Sequence, residues 1–192
     1  MIISKRNIFG LLLAVALIQT GILGFIVYER LQLLATGREI LVPVIPVDPR
    51  DIFRGDYVRL GYPISSFDFP AVSVPAGLRH DGPVYVTIKP DAASPWKVVS
   101  LSTGYPLNAD EGSAILKGRI SNLYDDRAAG VYHVTVSYGI ESYFVAEGTG
   151  KPLEEQVRDH KIETVIALAP DGTAAIKGLV IDGVRHLDPP LF

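Results

Sequence analysis

At 192 residues the chain has room for one domain and an appendage, and a net charge of −3 leaves no basic footprint for nucleic acid. It holds no cysteine, which excludes disulfides, thiolate chemistry and cysteine-ligated zinc. Hydrophobic residues make up 48% and mean hydropathy is +0.26, high for a soluble chain, while 18 Gly and 14 Pro imply the many turns of a β-rich domain.

The excess hydrophobicity is local. After a short tail (residues 1–7), "IFGLLLAVALIQTGILGFIVY", residues 8–28, carries no charge. As a helix it would span about 31 Å, the thickness of a hydrocarbon core. The run is longer than the apolar stretch of a cleaved signal peptide, and "ERLQLLATG" follows it without an Ala-x-Ala site. The expectation is an uncleaved transmembrane helix. Lys5 and Arg6 precede it, and Arg30 and Arg38 follow it, so the flanking charges tie. The free amino terminus and Glu29 tip the expectation towards a cytoplasmic N-terminus and an extracytoplasmic C-terminal domain. Gly10, Ala14 and Gly21 return to nearly one face, where small residues allow close helix approach in lipid. Gln19 adds a side chain able to hydrogen-bond across such an interface.

Residues 29–39 read as a helix extension or juxtamembrane linker, and residues 40–192 as the extracytoplasmic domain. "ILVPVIPV" (40–47) is extended because two prolines break a helix. "VDPRDIFRGDYVRLGY" (47–62) then mixes turn signals, charge and aromatic residues. Asp48, Asp51 and Asp56 can accept backbone N–H groups, and Arg50 and Arg54 offer guanidinium forks. That composition fits a structural or docking network near the membrane. Arg54-Gly55-Asp56 spells an adhesion tripeptide, but it runs into an apolar strand. The three Asp lack the spacing of a calcium loop.

Residues 56–62 read as a strand, and residues 63–83, with repeated Pro and Gly, as mainly loop. "VYVTIK" (84–89), "WKVVSLST" (96–103), "SAILKGRIS" (113–121), "VYHVTVSYG" (131–139) and "IESYFV" follow as strands, several with period-2 alternation. "GKPLEEQVRDHK" (150–161) reads as one short helix, with Pro152 near its start. A hairpin closes the chain: "IETVIALA", a Pro170-Asp171-Gly172 turn, then "AAIKGLVID". The expected fold is mainly β, sandwich- or barrel-like, with one short helix, on a single anchor.

No reaction is spelled out. "GTGKP" (148–152) lacks the flanking Gly and the Ser/Thr of a phosphate loop. The four His have no zinc-helix spacing, and no Gly-x-Ser-x-Gly elbow occurs. No metal or cofactor is expected. An anchor followed by "RGDYV" is similar to bacterial type I signal peptidases, whose Ser-Met-x-Pro-Thr-Leu box precedes a Gly-Asp. Aligning Gly55-Asp56 on that pair puts Val47 at the nucleophile position, which cannot attack.

At Gly55, Asp56, Tyr57, Leu60 and Tyr62 the chain resembles the GDYXXLXY proteins, a family of bacterial membrane-anchored proteins. "PVDPRDIFR" upstream, "AAIKGLVIDG" near the end, and a second box, "YFVAEGTG" (143–150), extend the likeness. That box contributes Tyr143, Phe144, Glu147 and Gly148, with Glu154 following, and departs at Ala146, where Pro is expected. The resemblance brings no catalytic residues. It implies a partner role beside a polytopic membrane protein, as an accessory or scaffold subunit. The competing expectation is a degenerate or unrecognised membrane-bound hydrolase, using acidic residues near Tyr57 and Glu147.

Overall fold

The structure, a computed structural model, describes residues 5–45, 57–91, 94–107, 110–144 and 162–187, with backbone alone for 5–8, 57 and 94. Among the described residues one α-helix, α1 (Lys5–Thr36), is followed by a 3-10 turn at Ala71–Ser73 and by eleven strands. These are β1 (Arg38–Pro43), β2 (Tyr57–Arg59), β3 (Ser66–Pro70), β4 (Pro83–Asp91), β5 (Ser94–Ser102), β6 (Ala114–Asp126), β7 (Val131–Ser137), β8 (Ser142–Phe144), β9 (Ile162–Leu168), β10 (Ala174–Ile181) and β11 (Val184–Leu187). The chain is thus mainly β. The short helix expected at 150–161 lies outside the described residues.

The described strands form three antiparallel sheets, ordered β1-β9-β10-β11, β3-β7-β6-β4-β5 and β2-β8. Alternation decides which faces are buried: Val84, Val86 and Ile88 on β4 are fully enclosed, as are Leu116 and Ile120 on β6. Their counterparts on β1 and β9, Val42 and Ile166, belong to the same apolar cluster, so the two larger sheets share one core. The layers are also pinned at their edges. Trp96 Nε1 on β5 donates to Leu41 O on β1 (2.5 Å), and Lys117 N on β6 donates to Gly172 O in the β9–β10 turn (2.7 Å).

Two strands depart from the sequence expectation. The loop expected over 63–83 contains β3, paired Ser66↔Thr135 through Pro70↔Val131 on the sheet edge, where a terminal proline is tolerated. Past β10, Asp182 and Gly183 take positive φ (50° and 81°) and turn the chain into β11. β11 approaches so closely at Gly178 that a Cβ there would collide with His186 O and stand 2.7 Å from Leu187 Cα.

Helix α1 and the β domain are separated by one residue. Residues 29–39 form no separate linker: α1 runs unbroken to Thr36 and β1 begins at Arg38. Gly37 closes the helix, donating to Leu33 O (2.8 Å). A Cβ at 37 would lie 2.5 Å from that carbonyl and 3.1 Å from Ala167 Cβ on β9, so only glycine lets the helix end lie on the sheet.

Candidate functional site

The two family-like boxes are neighbours in space. β2 pairs with β8 through Tyr57↔Phe144, Val58↔Tyr143 and Arg59↔Ser142, and Leu60 N donates to Glu141 O (2.9 Å). Val58, Leu60 and Tyr62 alternate inward and are each about 1% exposed, whereas Arg59 faces out. Tyr62 OH donates its proton to Ile140 O (2.8 Å), and Thr164 Oγ1 lies within hydrogen-bond reach of the same oxygen (3.3 Å). Burial pushes its pKa far above the ordinary tyrosine value, so it stays a donor. Tyr138 OH donates in the opposite direction, to Ile64 O (2.7 Å), and is likewise held protonated by burial. Glu141 closes the intervening turn by accepting from the N–H of Tyr138 (2.5 Å) and of Gly139 (2.9 Å). The motif's described side chains are therefore clamps within the core.

Tyr57 contributes its backbone to this ladder, Tyr143 packs half-buried against the core, and Phe144 is exposed. Asp48, Arg50, Asp51, Arg54, Gly55 and Asp56, with Glu147, Gly148 and Glu154, lie outside the described residues. Among the described residues no group of three His, Asp or Glu is placed to hold a metal ion.

A second constellation lies where α1 meets the domain. Leu33 packs on Ala167 and Ala175, Arg30 Nη1 donates to Ala174 O (3.2 Å), and Arg38 Nη1 donates to Ser113 O (2.7 Å). Beside these contacts is an open cleft of about 980 Å³ between α1, Tyr105 with residues 110–115, and the β9–β10 turn. Asp171 sits on its rim. Burial works to raise that carboxyl's pKa, but Thr173 N–H (3.0 Å), Thr173 Oγ1 (2.8 Å) and Lys117 (3.8 Å) hold it below the usual range. Arg30, Leu33 and Arg38 were missed by motif reasoning, because what marks them is their position just past an apolar run.

The helix has two distinct sides. At about 100° per residue, Ile26, Arg30 and Leu33 cluster roughly opposite Gly10, Ala14 and Gly21. The domain therefore meets the last turns of the helix on the azimuth away from the small residues, while residues 9–30 are exposed on every side. Gly24 joins that small-residue side, and a Cβ added at Gly10, Gly21 or Gly24 would meet nothing within 4 Å. Gln19 corrects the sequence reading: nine residues from Gly10 is two and a half turns, so it lies about 180° from the small-residue face. It cannot serve an interface built on that face.

Fold and junction together define a class: a mainly β domain carried on one helix long and apolar enough to cross a membrane, Phe9–Thr36. A family model described as GDYXXLXY protein matches residues 19–179, most of the chain, and the chain belongs to that family. No curated protein and no solved structure matches it.

Proposed function

We propose that this protein is a single-pass accessory or scaffold subunit of a bacterial inner-membrane complex, with its N-terminus cytoplasmic and its β domain extracytoplasmic. The helix docks on a polytopic membrane protein, and the domain covers that protein's outer surface. The observation that carries this reading is the division of α1 into two sides. One side is committed to the domain through Arg30 and Leu33. The other presents Gly10, Ala14, Gly21 and Gly24, with open space above the glycines. Lipid gains nothing from small residues, whereas a second helix gains close van der Waals contact. The single-residue connection at Gly37 supports the same reading, since it sets the domain in a defined position relative to whatever the helix binds.

The test is extraction of the full chain from its native membrane in mild detergent, followed by affinity capture and mass spectrometry. A polytopic membrane protein should co-purify, and Ala14→Leu or Gly21→Leu should weaken that capture while the β domain stays folded. A chain that runs as a detergent-solubilised monomer with no membrane protein attached overturns the proposal.

A further inference from the structure

If residues 9–28 fill the hydrocarbon core, about 30 Å at 1.5 Å per residue, then Glu29–Thr36 stands in the headgroup layer. The junction cleft opens beside that stretch, with Ile26 at its membrane end and Arg38 at its outer end. Its volume, about 980 Å³, is that of a small-molecule site.

The chemistry of its wall has two signs. Among the described residues, Arg30 and Arg38 are each held by one bond to a backbone carbonyl, Ala174 O and Ser113 O. A guanidinium has five N–H donors, so both forks keep donors for a phosphate. Four carboxylates line the same cleft. Asp110 is paired with Lys89 (3.0 Å) and Asp171 with Lys117 (3.8 Å). Glu29 and Glu111 have no ion-pair partner among the described residues. Leu33 and Leu168 supply apolar surface between the charged groups, and Ile26 extends it towards the bilayer.

We infer that this cleft binds one phospholipid with a primary-amine headgroup. Its phosphate lies against Arg30 and Arg38, its ammonium reaches Glu29 and Glu111, and its acyl chains descend past Ile26 along α1. A purely anionic headgroup would satisfy the arginines and face two unpaired carboxylates. A quaternary ammonium would offer those carboxylates no N–H. The lipid would fill the wedge between anchor and domain. The inference goes beyond the subunit reading and takes from it only the membrane anchor and its orientation.

The test uses the full chain in nanodiscs holding equal parts phosphatidylethanolamine, phosphatidylglycerol and phosphatidylcholine, released and weighed by native mass spectrometry. One retained lipid is expected, with phosphatidylethanolamine enriched about tenfold over the other two, a difference typical of one charge-assisted contact. Arg30→Gln with Arg38→Gln should cut retention of all three lipids by about tenfold, through loss of the phosphate contacts. Glu111→Gln should abolish the preference for phosphatidylethanolamine over phosphatidylglycerol. That carboxylate makes no ion pair among the described residues, so the variant decides the question if the double arginine variant fails to fold. No retained lipid, equal retention of all three, or a preference unmoved by Glu111→Gln overturns the site. A chain that fractionates as a soluble protein sinks the anchor itself, whereas a membrane-bound chain that emerges lipid-free sinks only the lipid site.

Discussion

At the scale of single residues, the motif's tyrosine and one exposed histidine carry testable energetics. Tyr62→Phe removes the hydroxyl that donates to Ile140 O and stands 3.3 Å from Thr164 Oγ1. It leaves a buried carbonyl without that partner, which costs about 1–3 kcal/mol. Urea denaturation of the full chain in detergent, read by Trp96 fluorescence, should show that loss; a midpoint equal to wild type would mean the clamp is idle. His133 behaves differently because it is half-exposed. Asp68 Oδ1 at 2.5 Å and Asp126 Oδ2 at 3.7 Å raise its pKa, mainly through the Asp68 hydrogen bond. A raised histidine favours the folded state while protonated, so its contribution is full below about pH 6.5 and fades as pH rises through the folded value. Asp126 runs the other way: the N–H groups of Ala129 and Ala128, with His133, lower its pKa. Its contribution is present above about pH 4 and lost as pH falls through the folded value. His133→Gln should therefore flatten the decline of stability above pH 6.5, measured as melting temperature against pH; an unchanged slope would remove His133 as its source.

At the scale of elements, the C-terminal hairpin shows how backbone proximity sets a residue. β10 bulges between Ile176 and Gly178, and β11 then crosses Gly178 with no room for a side chain. Gly178→Ala must displace β11, because the atoms it would strike are backbone. Hydrogen exchange should show the amides of Val184–Leu187 losing protection while β1, β9 and β10 keep theirs. Glu39 on β1 partly opposes that loss of order. It is bridged by Lys177 Nζ (2.8 Å) on β10 and Arg185 Nη1 (3.0 Å) on β11, which lower its pKa. These groups are partly exposed, so the bridges contribute only about 0–1 kcal/mol each, and protection in β11 depends on the ladder.

At the scale of the whole molecule, the decisive feature is that the apolar helix and the domain meet without a linker. Leu33, four residues before Gly37, is already a core residue of the domain, 8% exposed on Ala167 and Ala175. Cleavage near Thr36, as a signal peptide would require, would remove Arg30 and Leu33 from the fold. The mature chain should therefore keep its N-terminus, and protease outside spheroplasts should digest the domain from about residue 40 onward. Protection of that region would reverse the orientation, and a mature chain starting near Thr36 would show the helix to be a processed leader.

Local pattern was enough for much of this. The uncharged run of 8–28, the alternation in β4, β6 and β7, and the Pro170-Asp171-Gly172 hairpin are written in periods that span fewer than ten residues or in plain hydrophobicity, so they survive without tertiary context. The Asp182-Gly183 turn is equally legible as a two-residue hairpin signal, although "AAIKGLVID" by itself reads as a strand that simply ends there. β3 was hidden because prolines at 63 and 70 read as loop, and only pairing with β7 makes an edge strand of the residues between them. The resemblance to the family rests on the "GDYVRLGY" and "YFVAEGTG" boxes, yet a separation of some eighty residues conceals that Tyr57 and Val58 of the first are strand partners of Phe144 and Tyr143 of the second. Which side of α1 the domain takes, and hence which side stays open, was likewise beyond the sequence. It depends on Arg30 and Leu33 finding Ala174, Ala167 and Ala175 more than a hundred residues away, and only the closed fold brings such groups together.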